Sequence, residues 1–141
     1  MPVVISDEAR RYLAAFEDVT GAVATDCVID EAYDRLVIVV APGEMPTAIG
    51  PNGRTIRRFE ERVGEDVTVV EGADEPETFV ANALAPAAVY GVTVSENDDV
   101  VAYAEVDDAD RGAAIGAGGE NIETARMLAK RHFGIDDVQL A

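Results

Sequence analysis

The chain has 141 residues with 28 Asp and Glu against 11 Lys and Arg, a formal net charge of −17. A single cysteine, Cys27, excludes an internal disulfide and a thiolate metal cluster, and the longest apolar run, Leu36 to Ala41, is strand-sized rather than the roughly 18 residues of a membrane span. The acids fall evenly, 14 in residues 1–72 and 14 in residues 73–141, through segments that keep apolar periodicity, which excludes a disordered acidic tail.

Ser6 is placed to cap a first helix whose Asp7 and Glu8 suit the positive end of its dipole and whose Tyr12, Leu13 and Phe16 form an apolar stripe. Gly21 ends that segment. Val23 to Ile29 and Arg35 to Ala41 read as strands around a polar turn, and Pro42-Gly43 stops the second. Cys27 alternates with Ile29 as a small buried hydrophobe. Met45 to Ile49 is a short helix, broken by Gly50-Pro51-Asn52-Gly53. A further helix follows to Val63, with Ile56, Phe59 and Val63 facing inward, and Val67 to Val70 is a strand.

Residues 73–141 repeat that order. Pro76 opens a helix carrying Phe79, Val80 and Leu84, with Pro86 beyond its end. Val89 to Val94 and Val100 to Val106 are strands, and Asp110 to Ile115 is a short helix. After a second glycine turn comes a long helix from Glu120 to Phe133, with Lys130-Arg131-His132 at its negative end and Gly134 behind it. Asp137 to Leu140 is the last strand. The two turns, Ile49 to Ile56 and Ile115 to Ile122, share I-G-x-x-G-x-x-I at a separation of 66 residues (116 − 50). About one G-x-x-G is expected by chance here, but two copies of the longer string are not. The expected architecture is α+β, in two units of residues 1–72 and 73–141, each αββααβ.

A helix that starts at a G-x-x-G turn offers unpaired amides and the positive end of its dipole to an anion. Glycine lets a phosphate backbone approach where a Cβ would clash. This order with its glycine turn resembles the prokaryotic-type (type II) KH domain, which clamps about four nucleotides. The tandem pair resembles the archaeal NusA-like transcription factors. The resemblance is carried by Ala48-Ile49-Gly50, Arg57-Arg58-Phe59-Glu60-Glu61, Asn82-Ala83-Leu84-Ala85-Pro86-Ala87 and the closing run from Ala129 to Val138. It implies two KH domains, without the polymerase-binding and S1 domains of bacterial NusA. It also implies single-stranded RNA binding linked to transcription elongation or termination.

Both turns depart from the usual KH loop, because Pro51-Asn52 and Ala117-Gly118 carry no charge and Glu120 follows the second turn. The first unit is the better RNA site. Arg54, Arg58 and Arg62 recur at i, i+4, i+8 along the helix leaving its turn, with Arg57 beside them. The expected contacts there are Ile49, Gly50, Pro51, Asn52, Gly53 and these four arginines, with Val37 and Val39 in an apolar groove for splayed bases. In the second unit they are Ile115, Gly116, Ala117, Gly118 and Gly119. The contrasting function is a protein adaptor that docks on RNA polymerase or the ribosome, its KH units serving as scaffolds.

Other chemistry finds no support. His132, the only histidine, has no nucleophile or carboxylate at a recognisable spacing. Asp107-Asp108-Asp110 lacks the EF-hand pattern and reads as a helix cap on an acidic surface. Gly116 to Asn121 lacks the third glycine of a dinucleotide fingerprint. No catalytic residue, metal, cofactor, small-molecule substrate or membrane partner is expected. Met1-Pro2-Val3-Val4 has no signal-peptide character, so the cytoplasm is the expected compartment. Ten arginines, one lysine and spread acidity describe a halophilic protein, whose self-repulsion is screened over about 3 Å at 1 M salt. A basic partner is the other account of that charge.

Overall fold

A computed structural model describes residues 3–141; Met1 and Pro2, part of the start read above for a signal peptide, lie outside the described residues. The chain divides into two compact units, one spanning Val4–Gly72 and one built on Ala73–Ala141. In the first, the order is α1 (Asp7–Thr20), β1 (Ala24–Asp30), β2 (Arg35–Val40), α2 (Met45–Ile49), α3 (Arg54–Val63) and β3 (Asp66–Glu71). In the second it is α4 (Pro76–Ala83), β4 (Val89–Glu96), β5 (Val100–Val106), α5 (Arg111–Ile115), α6 (Glu120–Phe133) and β6 (Asp137–Leu140). Each unit is αββααβ, and the fold is the α+β tandem KH architecture.

The cap at Ser6 forms as the sequence implies: the Ala9 N–H donates to its Oγ at 3.1 Å, and Gly21 closes α1 in the left-handed region. Each sheet has three strands, ordered β1-β2-β3 and β4-β5-β6. The first pair is antiparallel, with Cys27 opposite Ile38 and Val94 opposite Ala102; the second is parallel, with Ile38 opposite Val69 and Ala102 opposite Val138. The two helices following each central strand, α2 with α3 and α5 with α6, supply the long crossover that parallel pairing requires.

The two central strands differ in kind. β2 is apolar from Leu36 onward and buried at all six positions, whereas β5 alternates, with Ala102, Ala104 and Val106 buried and Tyr103 and Glu105 exposed. Continuous and alternating patterns are the respective signatures of strands covered on two faces and on one. Leu36, Ile38 and Val40 join Phe16 and Phe59 in the first core, where the two phenylalanine rings meet edge to face at 5.2 Å. In the second unit, Phe79 packs at 5.2 Å against both Phe133 and His132. His132 is thus a packing partner at the end of α6.

Arg35 is 5% exposed and ties the strands of the first sheet together. Its Nε donates to Asp30 Oδ2 and its Nη1 to Thr68 Oγ1, both at 3.0 Å, and its guanidinium lies over the Tyr33 ring. In the second unit Asp136 accepts from the Val100 N–H at 2.9 Å and pairs with Lys130 at 3.2 Å. The Val100 amide first, and then Lys130, hold its carboxyl below the usual range. Asp107 and Asp110 are corrected: neither side chain caps the helical turns after it. Asp107 instead accepts the Tyr90 hydroxyl at 3.2 Å, which raises the phenol's pKa.

Candidate nucleic-acid interface

The two glycine turns have one conformation. Gly50 and Gly116 lie at φ 74, ψ 175 and φ 80, ψ 169; Asn52 and Gly118 are left-handed at φ 55 and φ 62; Gly53 and Gly119 come next at φ 73 and φ 80. The start of the next long helix crowds the first glycine of each turn and leaves no room for a side chain there. A Cβ on Gly50 would fall 2.1 Å from Thr55 Oγ1, and one on Gly116 would fall 2.8 Å from Asn121 N and Cβ. Thr55 and Asn121 occupy equivalent places at the start of α3 and α6. Asn121 also donates to the carbonyls of Leu84, Ala113 and Ala114, which ties α6 to the segments before it.

Part of each turn's donor set is spent internally. Gly53 N–H bonds Gly50 O at 3.1 Å, and Arg54 N–H bonds Pro51 O; Gly119 and Glu120 repeat both bonds. No side chain caps the first turn of α3 or α6; the start of α3 has no acidic residue to complement its dipole, whereas α6 carries Glu120 and Glu123 in its first turn. Pro51, Asn52, Ala117 and Gly118 are exposed. Ile49 is half-buried, and Ile115 is exposed.

The surroundings of the turns differ in charge. Arg54, Arg57 and Arg58 are exposed, and no ion pair or side-chain hydrogen bond engages them among the described residues. Side chains on a helix lean toward its N-terminus, so Arg57 reaches back to the turn, and a Cβ on Gly53 would meet its Nη1 at 3.0 Å. Arg62 does not share that environment; it pairs at 2.6 Å with Asp18 of α1. In the second unit the positions equivalent to Arg54, Arg57 and Arg58 are Glu120, Glu123 and Thr124. Glu123 pairs there with Arg126 at 2.6 Å.

Val37 and Val39, expected in the base-accepting groove, are 0% and 1% exposed. They alternate with the helix-facing Leu36, Ile38 and Val40, so they point to the opposite face of the sheet and open onto no groove beside the turn. Arg57 borders a different concavity, open and about 430 Å³, whose other walls are Asp34, Glu60, Glu61, Gly64, Glu65 and Asp66. The sequence placed Arg57 beside the arginine stripe; its reach back to Gly53 comes from side-chain direction rather than spacing.

Among the described residues, no group of three or more His, Cys, Asp or Glu is arranged to hold a metal, and no helix is long and apolar enough to cross a membrane. Residues 10–90 match the KH domain model, and residues 76–141 match that of the NusA-like second KH domain. The chain is 60% identical to a probable transcription termination protein NusA of Halococcus morrhuae, over the whole of both chains. It belongs to the archaeal NusA-like family.

A second NusA-like relative, from Halobacterium salinarum, is 57% identical over 99% of each chain. A third, from Methanocaldococcus jannaschii, is 30% identical over 98% of this chain and 75% of its own. The crystal structure of APE1850 superposes with a TM-score of 0.87 at 34% identity, covering 97% of this chain and 100% of that one. Relatives from Halococcus and Halobacterium agree with the halophilic composition. A NusA-like KH protein is a transcription factor and not an enzyme.

Proposed function

We propose that this protein is a transcription termination factor that binds single-stranded RNA in the cytoplasm, chiefly at the first glycine turn, and so modulates elongation or termination. Two RNA-binding units, residues 1–72 and 73–141, are assigned. The observation that carries the assignment is the uncapped start of α3 with three unpaired arginines around it. Exposed Pro51 and Asn52 leave the turn open to a ribose-phosphate strand, with Ile49, Gly50 and Gly53 beneath. Arg54, Arg57 and Arg58 supply charge-assisted contacts to phosphate; Arg62, held by Asp18, contributes less.

The second turn offers the same backbone and an exposed Ile115, but with Glu120 and Glu123 beside it. The Gly116 and Gly119 amides donate within the protein, to Gly112 O and Gly116 O, so contacts through Ile115, Gly116, Ala117, Gly118 and Gly119 rest on close backbone approach and apolar surface. That acidity favours a second role for this unit as an adaptor toward the transcription machinery, RNA polymerase included.

Replacing Arg54, Arg57 and Arg58 together by Gln tests the assignment. For single strands, log K falls with log salt at about 0.7 per neutralised phosphate. The triple variant should lose about 2 from the slope contributed by these contacts and bind most weakly, relative to the unaltered protein, at the lowest salt. Fluorescence anisotropy of a labelled single-stranded RNA across a KCl series reads both. Unchanged affinity and slope would remove the arginines from the interface.

A further inference from the structure

We infer that the carboxylates lining the concavity beside α3 compete with RNA phosphate for Arg57, so that salt sets how far this cation is available to the first turn. The inference rests on the RNA-binding role proposed for that turn. Arg57 is the residue shared by two environments: its Nη1 lies against Gly53, and the residue borders a concavity lined otherwise by Gly64 and five acidic residues.

No carboxylate pairs with Arg57 in the structure, among the described residues. Helix geometry accounts for that. Glu61 lies four residues after Arg57, the weaker orientation for an i,i+4 ion pair, and Arg57 leans toward the N-terminus and away from it. Glu60 is engaged elsewhere, accepting the Val67 N–H at 3.1 Å. Asp34, Glu61, Glu65 and Asp66 remain around the concavity, and Glu61 and Glu65, the two at and just beyond the end of α3, are the pair taken as competitors. Their attraction for the guanidinium acts over a distance that dilute salt transmits and molar salt screens, since the screening length shrinks from about 10 Å at 0.1 M to about 3 Å at 1 M. A phosphate in contact with Arg57 is screened far less.

Raising salt therefore removes the internal competitor while it also weakens the phosphate contact, and the usual loss of RNA affinity with salt is partly offset. The second unit has no such device, because Glu123 stands at the equivalent position.

The test is a cycle of four full-length proteins: unaltered, Glu61→Gln/Glu65→Gln, Arg57→Gln, and the triple combination. Each is titrated with a labelled single-stranded RNA by anisotropy, from the lowest KCl concentration at which circular dichroism remains native up to 3 M. The expected result is that Glu61→Gln/Glu65→Gln binds about threefold tighter at the lowest salt and equally at 3 M. With Arg57→Gln in the background, that gain should vanish. An equal gain in both backgrounds would mean general repulsion of RNA by acid and would overturn the inference. So would no gain at all in a protein that binds RNA. Absence of RNA binding by the unaltered protein at every salt would instead remove the proposed function, and the inference with it.

Discussion

Gly50→Ala is expected to destabilise the first unit by about 3 kcal/mol, read as a lowered midpoint of thermal unfolding in molar KCl. At φ 74 and ψ 175 the residue occupies a region that only glycine enters readily, and other residues pay roughly 1–3 kcal/mol there. Added to this, the new methyl would fall 2.1 Å from Thr55 Oγ1 and 2.7 Å from Thr55 Cβ. Thr55 is short and fixed at the start of α3, so it cannot swing aside as a long side chain would. Gly118→Ala is the control. Its φ of 62 is left-handed, but a Cβ there meets nothing within 4 Å, so the cost should be about 1 kcal/mol. Equal losses at the two positions would show that the close approach at Thr55 is not what the first glycine serves.

Pro51→Asp combined with Asn52→Asp is expected to weaken RNA binding by about fifteenfold at low salt while leaving the melting curve nearly unchanged. Both residues are exposed, and Asn52 already holds a left-handed conformation that Asp tolerates. Two carboxylates about 5 Å from a bound phosphate cost about 1.7 kcal/mol at the dielectric of water, which is about fifteenfold in affinity. They would also complement the α3 dipole that the phosphate is proposed to meet. The measurement is anisotropy with a single-stranded RNA beside circular dichroism of the same samples. Retained affinity would place the RNA elsewhere on the protein.

Much of the fold was legible because glycine and proline mark its boundaries. The bounds of α2 and α6 are those expected, and α3 ends at Val63 with Gly64 behind it. Gly134 sits left-handed behind α6, its N–H shared by the carbonyls of Ala129 and Lys130. Strand ends were less legible. β4 continues to Glu96 because Glu96 pairs with Val100 across the hairpin, two residues past the apolar run, and hydropathy does not report ladder bonds.

The turns were legible as motifs, while their surroundings were not. Val37 and Val39 were expected beside the groove, yet β2 is apolar without a break from Leu36 to Val40, and that continuity is itself the sign of a strand covered on both faces. The arginine stripe was visible as spacing. Spacing alone did not reveal that Asp18, 44 residues away in sequence, takes Arg62 out of it, nor that Arg57 turns back to Gly53. Both outcomes depend on neighbours that only folding brings together.

Residue-resolved amide spectra of the 15N-labelled protein, titrated with single-stranded RNA in molar KCl, probe the interface most directly. The signals of Gly50, Asn52, Gly53, Arg54 and Thr55 should move first and furthest, with the second turn responding at higher RNA. Saturable RNA binding that left those five amides in place would contradict the account.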